Sequence, residues 1–319
     1  MRVLVTGAAG LYGFHVIEGL AANQEVSKIY GVDDFSRGFP REEEYMDHHW
    51  GEKVTITKQM FQDLTVREIN SLNVDVVIHL AGYNSGKESM NTPEEYFLNN
   101  EYGTFQLVHT LLRTRNRPFL IYASSTEVYG ERVYSPVDEK HPVNPQNIFS
   151  ATKLAAEKHV MAAGRWYNYP VTALRFTNTF GENQNIYGYT SVVSSFIDRA
   201  LRNEPLIIYG SGEQTRDFLY AKDAARALCA ASAAQKPSQG LVINIATGQE
   251  MSVFDLAGKV KKLAGSTSEI INLPYEKGEP GFLPIDNTAA LQTLAWLPRY
   301  DLDEGLSRTI CWYKGLRSP

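Results

Sequence analysis

Val3-Leu4-Val5-Thr6-Gly7-Ala8-Ala9-Gly10-Leu11-Tyr12-Gly13 decides the fold of this chain. A short β-branched run enters a turn with glycines at 7, 10 and 13, and a helical pattern, Leu11–Ala22, leaves it. Glycines so placed allow a tight turn, close approach of the backbone to a pyrophosphate, and close packing of helix on strand. The helix N-terminus then offers free N–H groups and a positive dipole end to phosphates. The spacing is GxxGxxG, not the GxGxxG of the standard dinucleotide pattern. Taken alone it is open to a purely conformational reading as a turn. Asp33 narrows that reading, because it closes the next strand, Lys28–Asp33, about 20 residues beyond the last glycine. An acid there accepts hydrogen bonds from ribose hydroxyls and repels a 2′-phosphate, which favours NAD over NADP. Arg37 nearby is the one residue type that would accommodate such a phosphate.

Working outward, short apolar strands at Val54–Thr57, Asp75–Leu80, Phe119–Ala123 and Val171–Arg175 alternate with helical patterns near Val66–Leu72, Glu94–Thr114 and Ser150–Asn168. Alternation of this kind, with continuous apolar strands, predicts an α/β fold: a Rossmann-type doubly wound parallel sheet covered on both faces. After about Asn178 the rhythm changes. Gly181–Gly188 reads as loop, and Pro and Gly cluster at Leu273–Pro284. Helices near Val192–Arg202, Ala221–Ala234 and Ser252–Leu263 are separated by short strands such as Leu206–Tyr209 and Val242–Ile245. The expected organisation is an NAD-binding domain over 1–178 and a smaller α/β substrate lobe over 179–319, interleaved with it.

The 319 residues carry 31 Lys+Arg and 36 Asp+Glu, a formal net charge of −5. A dedicated nucleic-acid or anionic-membrane binder usually has a basic excess, so neither is expected. Cys229 and Cys311 stand far apart, which excludes a disulfide scaffold and a cysteine zinc site and suits a reducing compartment. No apolar run is long enough to span a membrane, and Met1-Arg2-Val3 opens with no signal-type segment. A cytoplasmic enzyme is the expectation. His48, His49, His109 and His159 read as surface or packing residues, and no His/Asp/Glu cluster has metal-site spacing.

Seven segments in order carry a family resemblance. They are Thr6 to Gly13; His79-Leu80-Ala81-Gly82; Asn100-Glu101-Tyr102-Gly103-Thr104; Ala123-Ser124-Ser125-Thr126-Glu127-Val128-Tyr129-Gly130; Ser150-Ala151-Thr152-Lys153-Leu154-Ala155-Ala156-Glu157; Arg175-Phe176-Thr177-Asn178; and Tyr209 to Phe218. With them the chain resembles the extended short-chain dehydrogenase/reductase family of nucleotide-sugar epimerases, dehydratases and decarboxylases over nearly its whole length. The resemblance implies a cofactor site of Gly7, Gly10, Leu11, Tyr12, Gly13, Asp33, Asp63, Leu64, Leu80, Ala81, Gly82, Lys153 and Phe176. Lys87, Asn178, Val193 and Arg216 are implied as contacts of a nucleotide-diphosphate sugar. A guanidinium and amide donors suit a diphosphate chemically.

Family members oxidise a sugar hydroxyl, usually at C4, by hydride transfer to tightly bound NAD. The base is normally a tyrosine four residues before the lysine, its phenolate favoured by the lysine ammonium and the nicotinamide charge. Here Ser125 and Lys153 fill their places, but Phe149 stands where the tyrosine belongs. Phenylalanine has no titratable proton and cannot act as acid or base. Either Tyr has been exchanged for Phe, removing one oxygen, or the phenylalanine is native and another group is the base. Tyr122 and Tyr129 do not occupy the motif position.

Glu127 points to a subclass. Dehydratases of the family usually carry Asp-Glu where this chain has Thr126-Glu127, so the acid for a leaving hydroxyl is missing. Ser125-Thr126-Glu127 is close to the Thr-Ser-Glu of UDP-glucuronate decarboxylases, yet their C-terminal arginine is not evident in Gly281-Phe282-Leu283-Pro284-Ile285-Asp286. The reading is a 4-epimerase working through a 4-keto hexose, with Ser125, Thr126, Glu127, Phe149 and Lys153 at the reacting end. Dehydratase, decarboxylase and a catalytically silent NAD-binding module are the alternatives. The resemblance also implies a homodimer through the helices Glu94–Thr114 and Ser150–Asn168. Leu107, Val108, Leu111 and Leu112 on the first, and Leu154, Val160 and Met161 on the second, are the expected apolar contacts.

Overall fold

Successive residues of the first strand, β1 (Arg2–Thr6), point to opposite sides of a sheet: Val3 and Val5 enter one apolar core and Leu4 the other. The computed structural model describes residues 1–37, 45–46, 48, 50–131, 133–184, 191–274 and 284–317. β1 pairs in parallel with β2 (Lys28–Asp33) on one side and β4 (Val76–His79) on the other. β3 (Val54–Lys58), β5 (Phe119–Ser125), β6 (Val171–Phe176) and β11 (Val242–Ile245) complete a seven-stranded parallel sheet. Its order, β11-β6-β5-β4-β1-β2-β3, reverses direction between β1 and β4. Open α/β sheets bind ligands beyond the carboxyl ends of the strands at such a point.

Each face is covered because the central strands are apolar on both sides, whereas the edge strand β3 leaves Thr55 and Thr57 exposed. Val16, Ile17 and Leu20 of α1 (Leu11–Ala22) and Ala224, Leu228 and Ala231 of a later helix (Ala221–Ala233) bury the Val3/Val5 face. Ile69 of α2 (Val66–Leu72) joins the other face, together with side chains from two long helical segments. The first segment begins after α3 (Gly86–Asn91). It runs as α4 (Pro93–Tyr96), a π-helical stretch Phe97–Tyr102, and α5 (Gly103–Leu111). The second is α6 (Ile148–Tyr167). The predicted helix Glu94–Thr114 is therefore interrupted by a wider turn and ends three residues early, where Thr114 Oγ1 donates to Leu111 O at 2.7 Å.

Of the seven apolar residues named for a dimer contact, some of which had to face the sheet, four do so. Leu107, Val108, Leu111 and Val160 are buried in the core beneath the sheet. Leu112, Met161 and Leu154 are half-buried against core clusters. The outward side of the first segment carries Leu98, Tyr102 and Phe105 instead.

A third core lies outside the large sheet. Phe180 of β7 (Asn178–Phe180), Val193, Phe196 and Ile197 of α7 (Val192–Leu201), and Leu206 and Ile208 of β8 (Leu206–Tyr209) meet there. Phe218 and Tyr220 of β10 (Phe218–Tyr220), with Leu256 and Val260 of the helix Val253–Ala264, close it. β7 pairs with β10, β8 with β13 (Ile270–Leu273), and β9 (Thr215–Arg216) antiparallel with β12 (Met251–Ser252). Val242–Ile245, read from sequence among the strands of the second half, is the seventh strand of the large sheet, paired with β6. Residues 185–190 and 275–283, within the stretches read as loop and as a Pro/Gly cluster, lie outside the described residues, as do Gly281, Phe282, Leu283 and His49. None of the described helices is long and apolar enough to cross a membrane.

Candidate active site

The turn between β1 and α1 is built as its glycines require. Gly7 adopts φ +71°, and a Cβ there would lie 2.6 Å from Ala81 N. A Cβ at Gly13 would lie 2.2 Å from Gly7 O, so the helix can approach the turn only without a side chain. At Gly10 a Cβ would meet only Gly7 O, at 3.3 Å. Gly10 is also the N-cap of α1, which has no side-chain cap and no acid in its first turn. The helix thus begins with N–H groups that no side chain of the cap satisfies and with no acid in its own first turn, the arrangement that suits a phosphate.

Asp33 sits at the end of β2, across the turn. Its carboxylate accepts Ala9 N–H at 2.9 Å and Phe35 N–H at 2.8 Å. Burial raises its pKa, opposed by those two backbone bonds. Arg37 is committed elsewhere: it pairs with Glu88, whose carboxylate also accepts the Tyr96 hydroxyl at 2.9 Å, and lies 3.8 Å over the Tyr83 ring. Tyr12 packs on Phe176 at 4.9 Å between ring centroids and donates to Thr179 Oγ1 at 2.8 Å. Leu11 is half-buried beside it. On the far side, Leu64 is buried while Asp63, closing the turn Phe61–Asp63, is exposed.

Leu80-Ala81-Gly82 follows β4, and Asn100 of the π-helical stretch clamps its end. Asn100 Oδ1 accepts Tyr83 N–H at 2.7 Å and Nδ2 donates to Tyr83 O at 2.9 Å. Below it, His79 is fully buried between Thr6 Oγ1 at 2.7 Å and Thr104 Oγ1 at 3.0 Å. Burial, reinforced by nearby Lys153, pushes its pKa down to about 3, so the ring is neutral.

Ser125 ends β5, and its Oγ accepts Glu127 N–H at 3.1 Å. Thr126 and Glu127 lie in the single turn Thr126–Tyr129, both half-buried. Asn147 caps α6, so Phe149 falls in the first turn and Lys153 one turn later on the same side. The Phe149 ring is 5% exposed and meets Tyr96 edge-on at 6.4 Å. Lys153 Nζ donates to Ala123 O and lies 4.5 Å from the Tyr122 ring centroid. A Cβ on Gly82 would be 3.9 Å from that Nζ. The ammonium therefore faces the Leu80–Gly82 loop. Burial lowers its pKa to about 7, opposed by the charge of Glu157.

Across from these lie the second-half residues. Asn178 Nδ2 donates to Asp217 O at 3.4 Å, and Arg216 Nη1 to Thr215 O at 2.8 Å. Lys87 on α3 reaches over the Tyr209 ring at 5.5 Å, a contact between the two halves. Val193 is 2% exposed in the third core. Two features were missed in the sequence reading. One is Asn147, although Asn147-x-x-Ser150 before a helical run is a readable capping signal. The other is the fully buried Glu157, which accepts Ser124 Oγ at 2.7 Å and Arg175 Nε at 2.9 Å and ties β5, β6 and α6 together.

Residues 3–246 match the model of the NAD dependent epimerase/dehydratase family. A putative UDP-glucose 4-epimerase of Methanocaldococcus jannaschii is 33% identical over 314 residues, covering 98% of each chain. UDP-glucuronic acid decarboxylase 1 of Xenopus tropicalis is 32% identical over 98% of this chain and 72% of its own length. Among solved structures, a tyrosine-to-phenylalanine mutant of the UDP-glucuronic acid 4-epimerase from Bacillus cereus has a TM-score of 0.91. It is 28% identical, covers 99% of this chain and 100% of its own, and was crystallised with UDP-4-deoxy-4-fluoro-glucuronic acid and NAD. With the doubly wound sheet, the glycine turn and the Ser125/Lys153 pair, this likeness over nearly the full length makes the chain a member of the NAD-dependent epimerase/dehydratase family.

Proposed function

We propose that the chain is a nucleotide-diphosphate-sugar 4-epimerase that uses NAD and passes through a 4-keto hexose. The observation that carries this reading is the place of Lys153, whose Nζ donates to Ala123 O, two residues before Ser125 at the carboxyl end of β5, and faces Gly82 beside the glycine turn. The residues fit NAD: the open N-terminus of α1 at Gly10 suits the pyrophosphate, and the Asp33 carboxylate suits the ribose hydroxyls. Bound NAD supplies a hydride acceptor that returns the hydride within the turnover, so no external reductant is needed.

The chain's own residues divide the remaining work. Gly7, Gly10, Leu11, Tyr12 and Gly13 hold the phosphates, Asp63 and Leu64 lie at the adenine, and Leu80, Ala81, Gly82 and Phe176 line the nicotinamide end. Lys153 holds the nicotinamide ribose. Ser125 orients the sugar oxygen, with Thr126 and Glu127 against the hexose. Asn178, Arg216 and Lys87 carry donors and positive charge for the diphosphate, with Val193 behind them. Phe149 brings a ring without a titratable oxygen to the first turn of α6, one turn before Lys153, so turnover of this chain is slow. Thr126, where a dehydratase would have an acid, supports epimerisation over loss of water. The protein works as a homodimer through the outward side of α4 to α6.

The test is a thermal-shift screen of UDP-, dTDP-, GDP- and CDP-sugars with NAD, since a ligand that binds the native state raises its apparent stability. Product analysis of the hits by NMR follows, for the chain and for Phe149→Tyr. A C4 epimer supports the proposal. Carbon dioxide release or a 4-keto-6-deoxy product assigns decarboxylase or dehydratase. Binding without turnover in both chains identifies a silent module.

A further inference from the structure

We infer that Asn147 is a positioning residue for the Glu127 carboxylate, coupling it to the helix that carries Phe149 and Lys153. Its effect on turnover rests on the epimerase reading. The two amide atoms of Asn147 have separate partners. Oδ1 accepts Ser150 N–H at 2.8 Å, while Ser150 Oγ accepts Asn147 N–H at 3.2 Å, so both halves of a capping box are present. This fixes the amide orientation. A backbone N–H needs an acceptor, so the oxygen faces the helix and the nitrogen faces away. Nδ2 then donates to Glu127 Oε2 at 3.2 Å.

The helix cap alone does not call for asparagine. Ser, Asp and, less strongly, Thr also cap a helix N-terminus. None of them has an N–H to offer in the second direction. Glu127 is held from its other end too, because its backbone N–H donates to Ser125 Oγ at 3.1 Å. Gly86 of α3 makes room for the contact: a Cβ there would lie 2.7 Å from Asn147 Nδ2 and 3.7 Å from Glu127 Oε2. An amide N–H can only donate, so it meets a carboxyl oxygen of Glu127 and selects which oxygen turns toward the helix. Glu127 is thereby kept in register with α6 and cannot swing with its own loop.

The experiment uses the full chain carrying Phe149→Tyr and compares Asn147→Ser, Asn147→Asp, Glu127→Ala and the Asn147→Ser/Glu127→Ala double variant. Ser and Asp keep the cap. Ser removes the amide N–H that reaches Glu127, leaving one hydroxyl whose oxygen is taken by the cap, and Asp sets a carboxylate against Glu127. The expected result is melting temperatures close to the parent's and a kcat about tenfold lower for Asn147→Ser, the order expected when one hydrogen bond to a charged group is lost. Asn147→Asp falls further, and KM changes little in either. Once Glu127 is Ala, no acceptor remains for Asn147 Nδ2 and Asn147→Ser costs nothing more, because the two act through one contact. An unchanged kcat for Asn147→Ser, or the same loss in the Glu127→Ala background, overturns the inference. If the Phe149→Tyr chain turns over no nucleotide sugar, the epimerase reading has failed instead. A crystal structure of Asn147→Ser then decides the positioning role: a Glu127 carboxylate that has left the first turn of α6 supports it, and one that has kept its place overturns it.

Discussion

Phe149 carries the sharpest expectation at the scale of single residues. Its ring is buried beside Tyr96, in the first turn of a well-capped helix, one turn before Lys153. Phe149→Tyr adds one hydroxyl to a ring already in place. The proposed diphosphate contacts Asn178 and Arg216 and the glycine turn do not involve that atom. We expect kcat to rise at least about 10²-fold, the lower end of what a positioned acid–base group contributes, with sugar-nucleotide affinity nearly constant. Such a split marks an interaction used in the transition state and hardly in ground-state binding. Steady-state kinetics with the substrate found by the screen decide it, and a Tyr variant no faster than the parent removes the assignment. Asp33 gives a second expectation. A 2′-phosphate would face its carboxylate, and Arg37 is paired with Glu88 and stacked on Tyr83. NAD should bind more than about tenfold tighter than NADP by calorimetric titration. Equal affinity would mean that Arg37 leaves Glu88 to meet the phosphate. The carboxylate and the glycines were legible because their roles depend on local spacing. The Asn147–Glu127 bond and the commitment of Arg37 were not, because each joins segments brought together only by folding.

Among the elements, the strand–turn–helix unit was readable for the same reason. A buried strand, three glycines and a helical repeat interact within a dozen residues, so local pattern and tertiary structure agree. The π-helical stretch Phe97–Tyr102 left no signal in periodicity, since a single wide turn shifts the phase without changing composition. The place of Val242–Ile245 was also hidden: any short apolar strand reads alike until its partner is known, and its partner is β6. A tie between elements yields a pH prediction. His79 on β4 joins Thr6 of β1 to Thr104 of α5 and is fully buried. Its folded pKa is near 3 against 6.5 for the free side chain. Above pH 6.5 both states are neutral and the tie is intact. As pH falls from 6.5 toward 3, the unfolded chain takes up a proton that the folded chain refuses, so stability drops. The slope from this group is at most about 1.4 kcal/mol per pH unit. Urea unfolding of the parent and of His79→Gln across that range measures it. The parent should lose stability more steeply than the variant, and parallel profiles would show that the ring titrates normally.

At the scale of the whole molecule, the outward side of α4 to α6 is the face on which the proposed dimer is tested. Leu98, Tyr102 and Phe105 recur along one side of the first helical segment and are 55%, 44% and 44% exposed. Phe105 meets the ring of His159 on α6 edge-on at 5.5 Å, and His159 lies 3.8 Å from Glu101, so the two helices present one joint surface. A monomer seldom leaves a contiguous apolar surface of this kind to solvent. A two-fold axis through it would bring each patch onto its own copy, the self-complementary contact of a closed dimer. The same reasoning selects the variant. Tyr102→Glu with Phe105→Glu places four carboxylates near that axis, where desolvation and like-charge repulsion oppose association. Both positions face outward, so the folded monomer should lose little stability, whereas charges at Leu107 or Val108 would enter the core beneath the sheet. Light scattering at micromolar concentration should give twice the 35.8 kDa chain mass for the parent and the single mass for the double variant. A parent that already runs at 35.8 kDa would end the dimer reading. A double variant that still pairs would move the interface to another face.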